Sequence, residues 1–482
     1  MRVLDNLEPK KVFYYFEEIC GIPHGSGNTK QISDYLTNFA KEKGLEYYQD
    51  EINNVIIIKE ATPGYENVEP IIIQGHMDMV CEKESSSDFN FETDGLNLYV
   101  DGDFVRAKDT TLGGDDGIAV AFALALLDSD CYEHPRLEVV ITVDEETGMD
   151  GAYGIDLSML KGKKMLNIDS DEEGIFLTSC AGGTGVETSI PMARNEEEGL
   201  WIDVTVNGLL GGHSGAEIQK ERGNASFLMG RFLNNLAMVM PIGLIHLAGG
   251  LKGNAIPREC KASILIPENC LETLKEEAAK HQEIYAKELF QSDPNVALTV
   301  EAKEVTKANI LDFMSLNKVL CYLRMMPNGV QHMSQVIPGL VETSLNMGIM
   351  KLEEDAFVTD ISIRSSVRTR KEDVRDKVVQ IIELVGGEAT VLGDYPAWEY
   401  KAESKLREEI AVAYERINGV APEFTAIHAG LECGILSEKI ADLDCVSFGP
   451  QNFDIHTPQE RLSISSTKRV WDFLVEYLKS TK

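Results

Sequence analysis

Two kinds of apolar pattern divide the chain. In its first third, VIIIK at Val55–Lys59, EPIIIQG at Glu69–Gly75, LEVVITV at Leu137–Val143 and KMLNI at Lys164–Ile168 are short, largely β-branched runs with little polar alternation. Runs that are apolar on both faces predict strands buried inside a sheet. An amphipathic helix is expected around Pro9–Cys20, a second helix over Lys30–Lys43, and GIAVAFALALLD reads as a helix buried on all sides. Strands alternating with helices predict an α/β domain with a largely parallel sheet.

After the Gly-rich CAGGTG at Cys180–Gly185 the pattern changes. WIDVTVNG, KASILIPEN and VALTVEAKE alternate apolar and polar positions, which predicts antiparallel strands with one solvated face. Helices are expected at Asn224–Met238 and Glu272–Leu289. The order strand, helix, strand, strand, helix, strand recurs through a helix at Leu316–Met325, the strands VETSLNMGIM and AFVTDISIRSS, a helix at Lys371–Val385 and EATVLGDYP, so an internal duplication is expected. From Trp398 the α/β character returns, with helices at Lys405–Asn418 and Ser466–Lys479 around ADLDCVSFGP. The expected fold class is α/β: a mixed, mostly parallel sheet with flanking helices, plus an inserted α+β lid domain with a duplicated antiparallel sheet. The catalytic domain is expected to be discontinuous, from residues 1–183 and 398–482, with the lid at 184–397.

Composition narrows the function classes. At 482 residues the chain exceeds what one core usually holds. With 45 basic and 79 acidic residues its formal charge is -34, which repels phosphate backbones and anionic lipids, so neither nucleic acid nor membrane is an expected partner. Nine scattered cysteines without a C-x-x-C pair predict reduced thiols. The N-terminal MRVLDNLEPKKVFYYFEEI lacks the apolar run of a signal peptide, and a cytoplasmic protein is expected.

The chemistry concentrates at predicted strand ends, where open α/β sheets place ligands. His76-Met77-Asp78 follows PIIIQG; a lone His-x-Asp is more often a structural pair, although a carboxylate there can also orient a metal-binding imidazole. In TLGGDDGIAV, Gly113 and Gly114 deliver Asp115 and Asp116 to a helix start, where one aspartate is expected to be an N-cap. Asp144-Glu145-Glu146 ends LEVVITV, Asp169 ends KMLNI, and His456 lies in the loop GPQNFDIHTPQE. Together, two histidines and several carboxylates on successive strand ends suit a pair of divalent ions, with nitrogen and oxygen donors fitting zinc. Two such ions ~3.5–4 Å apart need a bridging carboxylate.

The segments QGHMDMV, LGGDDGIAV, VDEETGMDGA, NIDSDEEG, GGHSGAEI, GNAIPRE, AIHAGLECG and GPQNFDIHTP, in that order, resemble the aminoacyl-histidine dipeptidases of the M20 metallopeptidase family along nearly the whole chain. The resemblance implies a di-zinc enzyme, with Mn²⁺ or Co²⁺ able to substitute, that cleaves short peptides such as Xaa-His, and it leaves open whether carnosine is cut. It makes Asp115 the bridging ligand, with His76 and Asp169 on one ion and Glu146 and His456 on the other. Asp78 would orient His76, and Glu145 would be the general base. Many relatives carry Asn where this chain has Asp116, for which a helix cap is the preferred role. In the lid, the resemblance makes His213 an oxyanion contact, often across a dimer interface, and Asn254 and Arg364 contacts to the oxyanion or substrate carboxylate. It implies a homodimer through the lid and leaves the roles of His428 and Glu432 open. A tripeptidase, carboxypeptidase or N-acyl amino acid deacylase would share these ligands, and a non-catalytic metal-binding protein would have no need of Glu145.

Overall fold

The protein is described here from a computed structural model, which covers residues 2–482. The chain forms two compact units: residues 2–179 with Tyr400–Ala426 and Leu431–Lys482, and Cys180–Glu399 with Ile427–Gly430. His428 therefore belongs to the second unit, although the chain on both sides of it belongs to the first.

The first unit is built on an eight-stranded sheet in the order Glu46–Gln49, Val55–Lys59, Leu137–Thr142, Ile71–His76, Lys164–Asn167, Asp444–Ser447, Ile175–Cys180, Glu423–Ile427. The four strands from Leu137–Thr142 to Asp444–Ser447 are parallel. Val55–Lys59 is nearly as buried as Leu137–Thr142, yet it runs antiparallel to that strand and forms a hairpin with the exposed Glu46–Gln49. A short turn can join only antiparallel strands, so chain connectivity set its direction where burial on both faces could not. The apolar segment predicted as a buried helix spans Gly114–Leu127, with nearly every residue buried. It lies between the helix Lys10–Cys20 and the strand Ile71–His76, and Gly117 gives Phe16 and Ile19 room to approach its backbone. On the other side, Phe176 meets Tyr414, Phe448 and Phe473 at centroid distances of 5.2, 5.4 and 5.5 Å, anchoring the C-terminal helix Ile464–Ser480.

The second unit carries an antiparallel sheet in the order Ala297–Leu311, Arg194–Asn207, Cys260–Ile266, Gly243–Gly249, Val341–Leu352, Ala356–Ser365, Gly182–Pro191, Glu388–Tyr395. The two halves of this order mirror one another about the junction between Gly243–Gly249 and Val341–Leu352, where only Ala248 and Gly249 pair, with Lys351 and Met350. The duplication has a form that element order along the chain did not reveal. The second copy takes its first strand, Gly182–Pro191, from upstream of the first copy. Phe232, Tyr285, Tyr322 and Phe357 fill the core beneath this sheet.

Phe473 is 1% exposed and meets four rings of the first unit's core, three of them edge to face. Phe473→Ala is expected to lower that unit's stability by about 3–5 kcal/mol through lost burial and the cavity left behind. A urea midpoint equal to that of the parent protein would contradict this packing account.

Candidate active site and metal centre

The parallel strands end together and bring the predicted residues of the first unit to one place. His76 is the last residue of Ile71–His76, Asp144-Glu145-Glu146 follows Leu137–Thr142, and Asp169 follows Lys164–Asn167. Asp144 sits in the left-handed region at φ 54°, which turns the chain sharply so that Glu145 and Glu146 point back over the strand ends; its Oδ1 accepts the Gly27 N–H at 2.6 Å. Asp115 comes from the start of the buried helix, after Gly113 at φ 69°. His456, at φ 61°, comes from the loop between the short strands Asn452–Phe453 and Arg461–Ser463.

Asp115 lies between the two histidines. Its Oδ1 is 3.1 Å from His76 Nε2, and its Oδ2 is 3.1 Å from His456 Nε2. Glu146 Oε1 is 2.9 Å from His456 Nε2, and Asp169 Oδ1 is 3.8 Å from His76 Nε2. Three sets of potential ligand atoms lie within 4.8 Å of one another: His76 with Asp116 and Asp169, His76 with Glu145 and Glu146, and Asp115 with Glu146 and His456. Asp78 is buried behind them. It faces His76 Nδ1, accepts Ser26 Oγ–H at 2.8 Å, and takes the backbone N–H groups of Glu145 and Glu146 at 3.2 and 3.4 Å, so one carboxylate steadies both the imidazole and the acidic turn.

Asp116 is not a helix cap. Its carboxylate accepts the His76 N–H at 3.2 Å and fills the space over Gly75, where a Cβ would fall 2.3 Å from Asp116 Oδ2. The backbone at Asp115 and Asp116 is non-helical, which turns these side chains toward the strand ends instead of the helix's first amides.

The charge balance fits a divalent cation. Burial disfavours a charged imidazole at His76, but its bonds to Asp115 and Asp78 hold its pKa well above the usual histidine range. Hydrogen bonds to Asp115 and Glu146 push His456 up to about 10. Asp115, despite burial, is held well below the usual carboxylate range by the two histidines. The remaining acids move the other way. Burial, with neighbouring carboxylates, raises Asp116 and Asp169 well above the usual range and pushes Glu145 and Asp171 up to about 8. Buried carboxylates in this number need positive charge, and the donors present, imidazole nitrogen and carboxylate oxygen, suit a borderline divalent ion.

The second unit gathers its own predicted residues. His213 pairs with Ala255 in a short antiparallel bridge, and the Ser214 N–H donates to the Asn254 carbonyl at 2.9 Å. His213 Nδ1 accepts the N–H groups of Gly215 and Ala216 at 3.2 and 3.0 Å, which leaves Nε2 as the protonated nitrogen of a neutral ring. Burial and nearby Arg364 lower the pKa of His213, consistent with neutrality. A Cβ on Gly215 would fall 2.7 Å from the His428 carbonyl, 3.0 Å from His213 Cε1 and 3.2 Å from Arg364 Nε, so glycine is what lets these three residues converge. Arg364 Nη1 donates to the Tyr395 hydroxyl at 2.9 Å, and His428 Nε2 lies 2.8 Å from Ser344 Oγ. Burial and Arg364 hold His428 down at about 4. Arg364 Nε, His428 Nδ1 and Ser214 Oγ are buried polar atoms without a partner.

Sequence reasoning left Glu432 open and missed the residues around it. Glu432 is fully buried, and its Oε2 accepts Gln74 Nε2–H at 2.5 Å and Thr142 Oγ1–H at 2.7 Å, while Gln74 Oε1 accepts Asn167 Nδ2–H at 2.6 Å. Gln74, Thr142 and Asn167 sit on the three strands whose ends carry His76, Glu145–Glu146 and Asp169. The available signal was one polar residue near the end of each otherwise apolar run. Tyr395, like these, could not be placed without the fold.

A model of Peptidase family M20/M25/M40 matches residues 72–480. The Cytosol non-specific dipeptidase of Escherichia coli K12 is 36% identical over 481 residues, covering 99% of both chains. The aminoacylhistidine dipeptidase of Vibrio alginolyticus superposes with a TM-score of 0.94 at 36% identity, over 99% of this chain and 98% of that one. A Bacillus cereus aminopeptidase shares the fold at a TM-score of 0.58 and 15% identity, over 98% and 99% of the two chains.

The Glu432 network leads to a stability prediction. Gln74→Leu removes a donor to a buried carboxylate and strands the Asn167 amide, and is expected to cost about 1–3 kcal/mol. Urea unfolding of the metal-free protein measures this, and an unchanged midpoint would argue against the network.

Proposed function

The chain belongs to peptidase family M20/M25/M40, and from that footing we propose that it is a metal-dependent dipeptidase that hydrolyses Xaa-His peptides with two zinc ions, for which Mn²⁺ or Co²⁺ can substitute. Two whole-length relatives at 36% identity, named as a non-specific and an aminoacylhistidine dipeptidase, support the dipeptide substrate over a tripeptide or an acyl amino acid. The observation that carries the metal reading is Asp115, with one oxygen 3.1 Å from each imidazole, the arrangement a bridging carboxylate needs.

In this reading His76 and Asp169 hold one ion, Glu146 and His456 the other, and Asp115 both. Bound divalent ions supply Lewis acidity to the scissile carbonyl and to the attacking water. Asp78 fixes the His76 ring and the Glu145–Glu146 turn. Glu145 takes a proton from water and delivers it to the leaving amine; its place on the turn beside Glu146, held by Asp78, puts a carboxylate next to the ligand set.

His213, with its proton on Nε2, is suited to stabilise an oxyanion, and Asn254 stands beside it in the chain's path. The unpartnered Arg364 Nε and His428 Nδ1 suit the C-terminal carboxylate of a short peptide, which a guanidinium recognises well. We place the enzyme in the cytoplasm, where a dipeptidase meets its substrates; no helix among the described residues is long and apolar enough to cross a membrane. We further propose a homodimer through the second unit, where Leu210, Met238 and Leu251 stand 50%, 75% and 92% exposed. Sedimentation as a monomer at micromolar concentration would remove that part.

Purified protein with added Zn²⁺, Mn²⁺ or Co²⁺ is expected to cleave Ala-His and Gly-His and to stop with a chelator; carnosine, Leu-Gly-Gly and an N-acetyl amino acid complete the panel. Activity confined to Leu-Gly-Gly or the acetyl compound would overturn the substrate class. Glu145→Ala is expected to keep both metals and lose most turnover, by about 100-fold or more. Metal loss in that variant would make Glu145 a ligand instead. His213→Ala is expected to lower kcat with the metals retained, by about 100-fold.

A further inference from the structure

A buried carboxylate outside the ligand set grips the turn that carries Asp115. Glu460 is 3% exposed. Its Oε2 accepts the N–H groups of Leu112 at 2.7 Å and Gly113 at 3.1 Å; its Oε1 accepts those of Gly114 at 2.8 Å and Asp115 at 3.5 Å, and Asn452 Nδ2–H at 3.2 Å. Four consecutive backbone amides thus converge on one side chain. The left-handed Gly113 makes this possible, because alternating backbone hand turns successive N–H groups to the same side. Gly114 is required for a different reason: a Cβ there would fall 2.7 Å from Asn452 Nδ2 and 3.1 Å from Glu460 Oε1.

Glu460 lies four residues after His456, and its own N–H donates to the Thr457 carbonyl at 3.1 Å, which closes the turn between them. Asn452 pairs with Leu462 across the base of the same hairpin. One short hairpin therefore supplies the imidazole on one oxygen of Asp115 and also the carboxylate that fixes Asp115's backbone. We propose that Glu460 is a positioning residue that locks the Leu112–Asp115 turn to the His456 hairpin, setting the distance between Asp115 and His456 and so the affinity of the shared metal site. The geometry accounts for the sequence Leu112-Gly113-Gly114-Asp115 as a receptor for Glu460, and for the spacing of His456 from Glu460.

The inference rests on the metal reading above, and the test separates the two. Metal-free wild type is titrated with Zn²⁺ against a competing chelator and with Co²⁺ by visible absorption; binding of two ions supports the metal reading, and binding of none overturns both. In Glu460→Gln an amide NH₂ replaces one acceptor and faces the backbone N–H groups. Zn²⁺ affinity is expected to fall about 10–100-fold, with a changed Co²⁺ spectrum. A solely structural role would lower the melting temperature of the metal-free protein while leaving the wild-type affinity and spectrum, and that result overturns the proposal. Gly114→Ala pushes on the clamp from the other side without changing charge and is expected to weaken binding in the same direction. It decides the matter by the same two readouts if Glu460→Gln does not accumulate as folded protein.

Discussion

The crowding of carboxylates at the ends of the parallel strands is the constraint on which the rest of the first unit depends. Asp78, Asp116 and Glu432 are buried and Asp115, Glu145 and Asp169 are part-buried beside them, so their mutual repulsion is only partly screened by solvent. Two histidines offset part of this. The remainder is spread over hydrogen bonds: backbone amides on Asp78 and Glu460, and side-chain donors on Glu432. Each acid that does not face the centre is tied to the segment carrying one that does.

The scaffold divides the work by rigidity. The strands are held by apolar burial on both faces and by a register that lets Gln74 and Asn167 stand opposite one another. Among the candidate ligands, Asp115 and His456 do not follow a strand of the parallel sheet; they come from segments in unusual backbone conformations, Gly113 and His456 both lying in the left-handed region. Such conformations persist only where the surroundings over-determine them. The Glu460 clamp is that over-determination, since it ties both segments to one buried carboxylate.

The second unit solves a related problem with neutral groups. His213 and His428 are both lowered by burial and by Arg364, so a single cation dominates the cluster. A part-buried guanidinium with an unpartnered Nε suits an anionic group such as a carboxylate, and two neutral imidazoles beside it add no like charge. Arg364 comes from the duplicated sheet, on the strand Ala356–Ser365, and His213 from the separate short pairing with Ala255.

The sequence by itself determined the strands and helices with strong periodicity, from Val55–Lys59 to Glu388–Tyr395, because burial on one or both faces leaves a pattern that short-range rules can read. It also determined the candidate ligands at strand ends, since His76, Asp115, Glu146, Asp169 and His456 are all chemically conspicuous at the ends of apolar runs or in a shaped loop. Tertiary structure alone decided the rest. Asp116 turned from a helix cap to a partner of the His76 amide because the helix start is not helical there. Gly182–Pro191 joined the second copy of the duplication although it precedes the first. Gln74, Thr142, Asn167, Glu432 and Glu460 look like ordinary polar residues in the chain, and they acquire roles only through partners tens or hundreds of residues away. Periodicity reports which face of an element is buried. It carries no information about which buried polar group will meet which, and that pairing is what aligns the site.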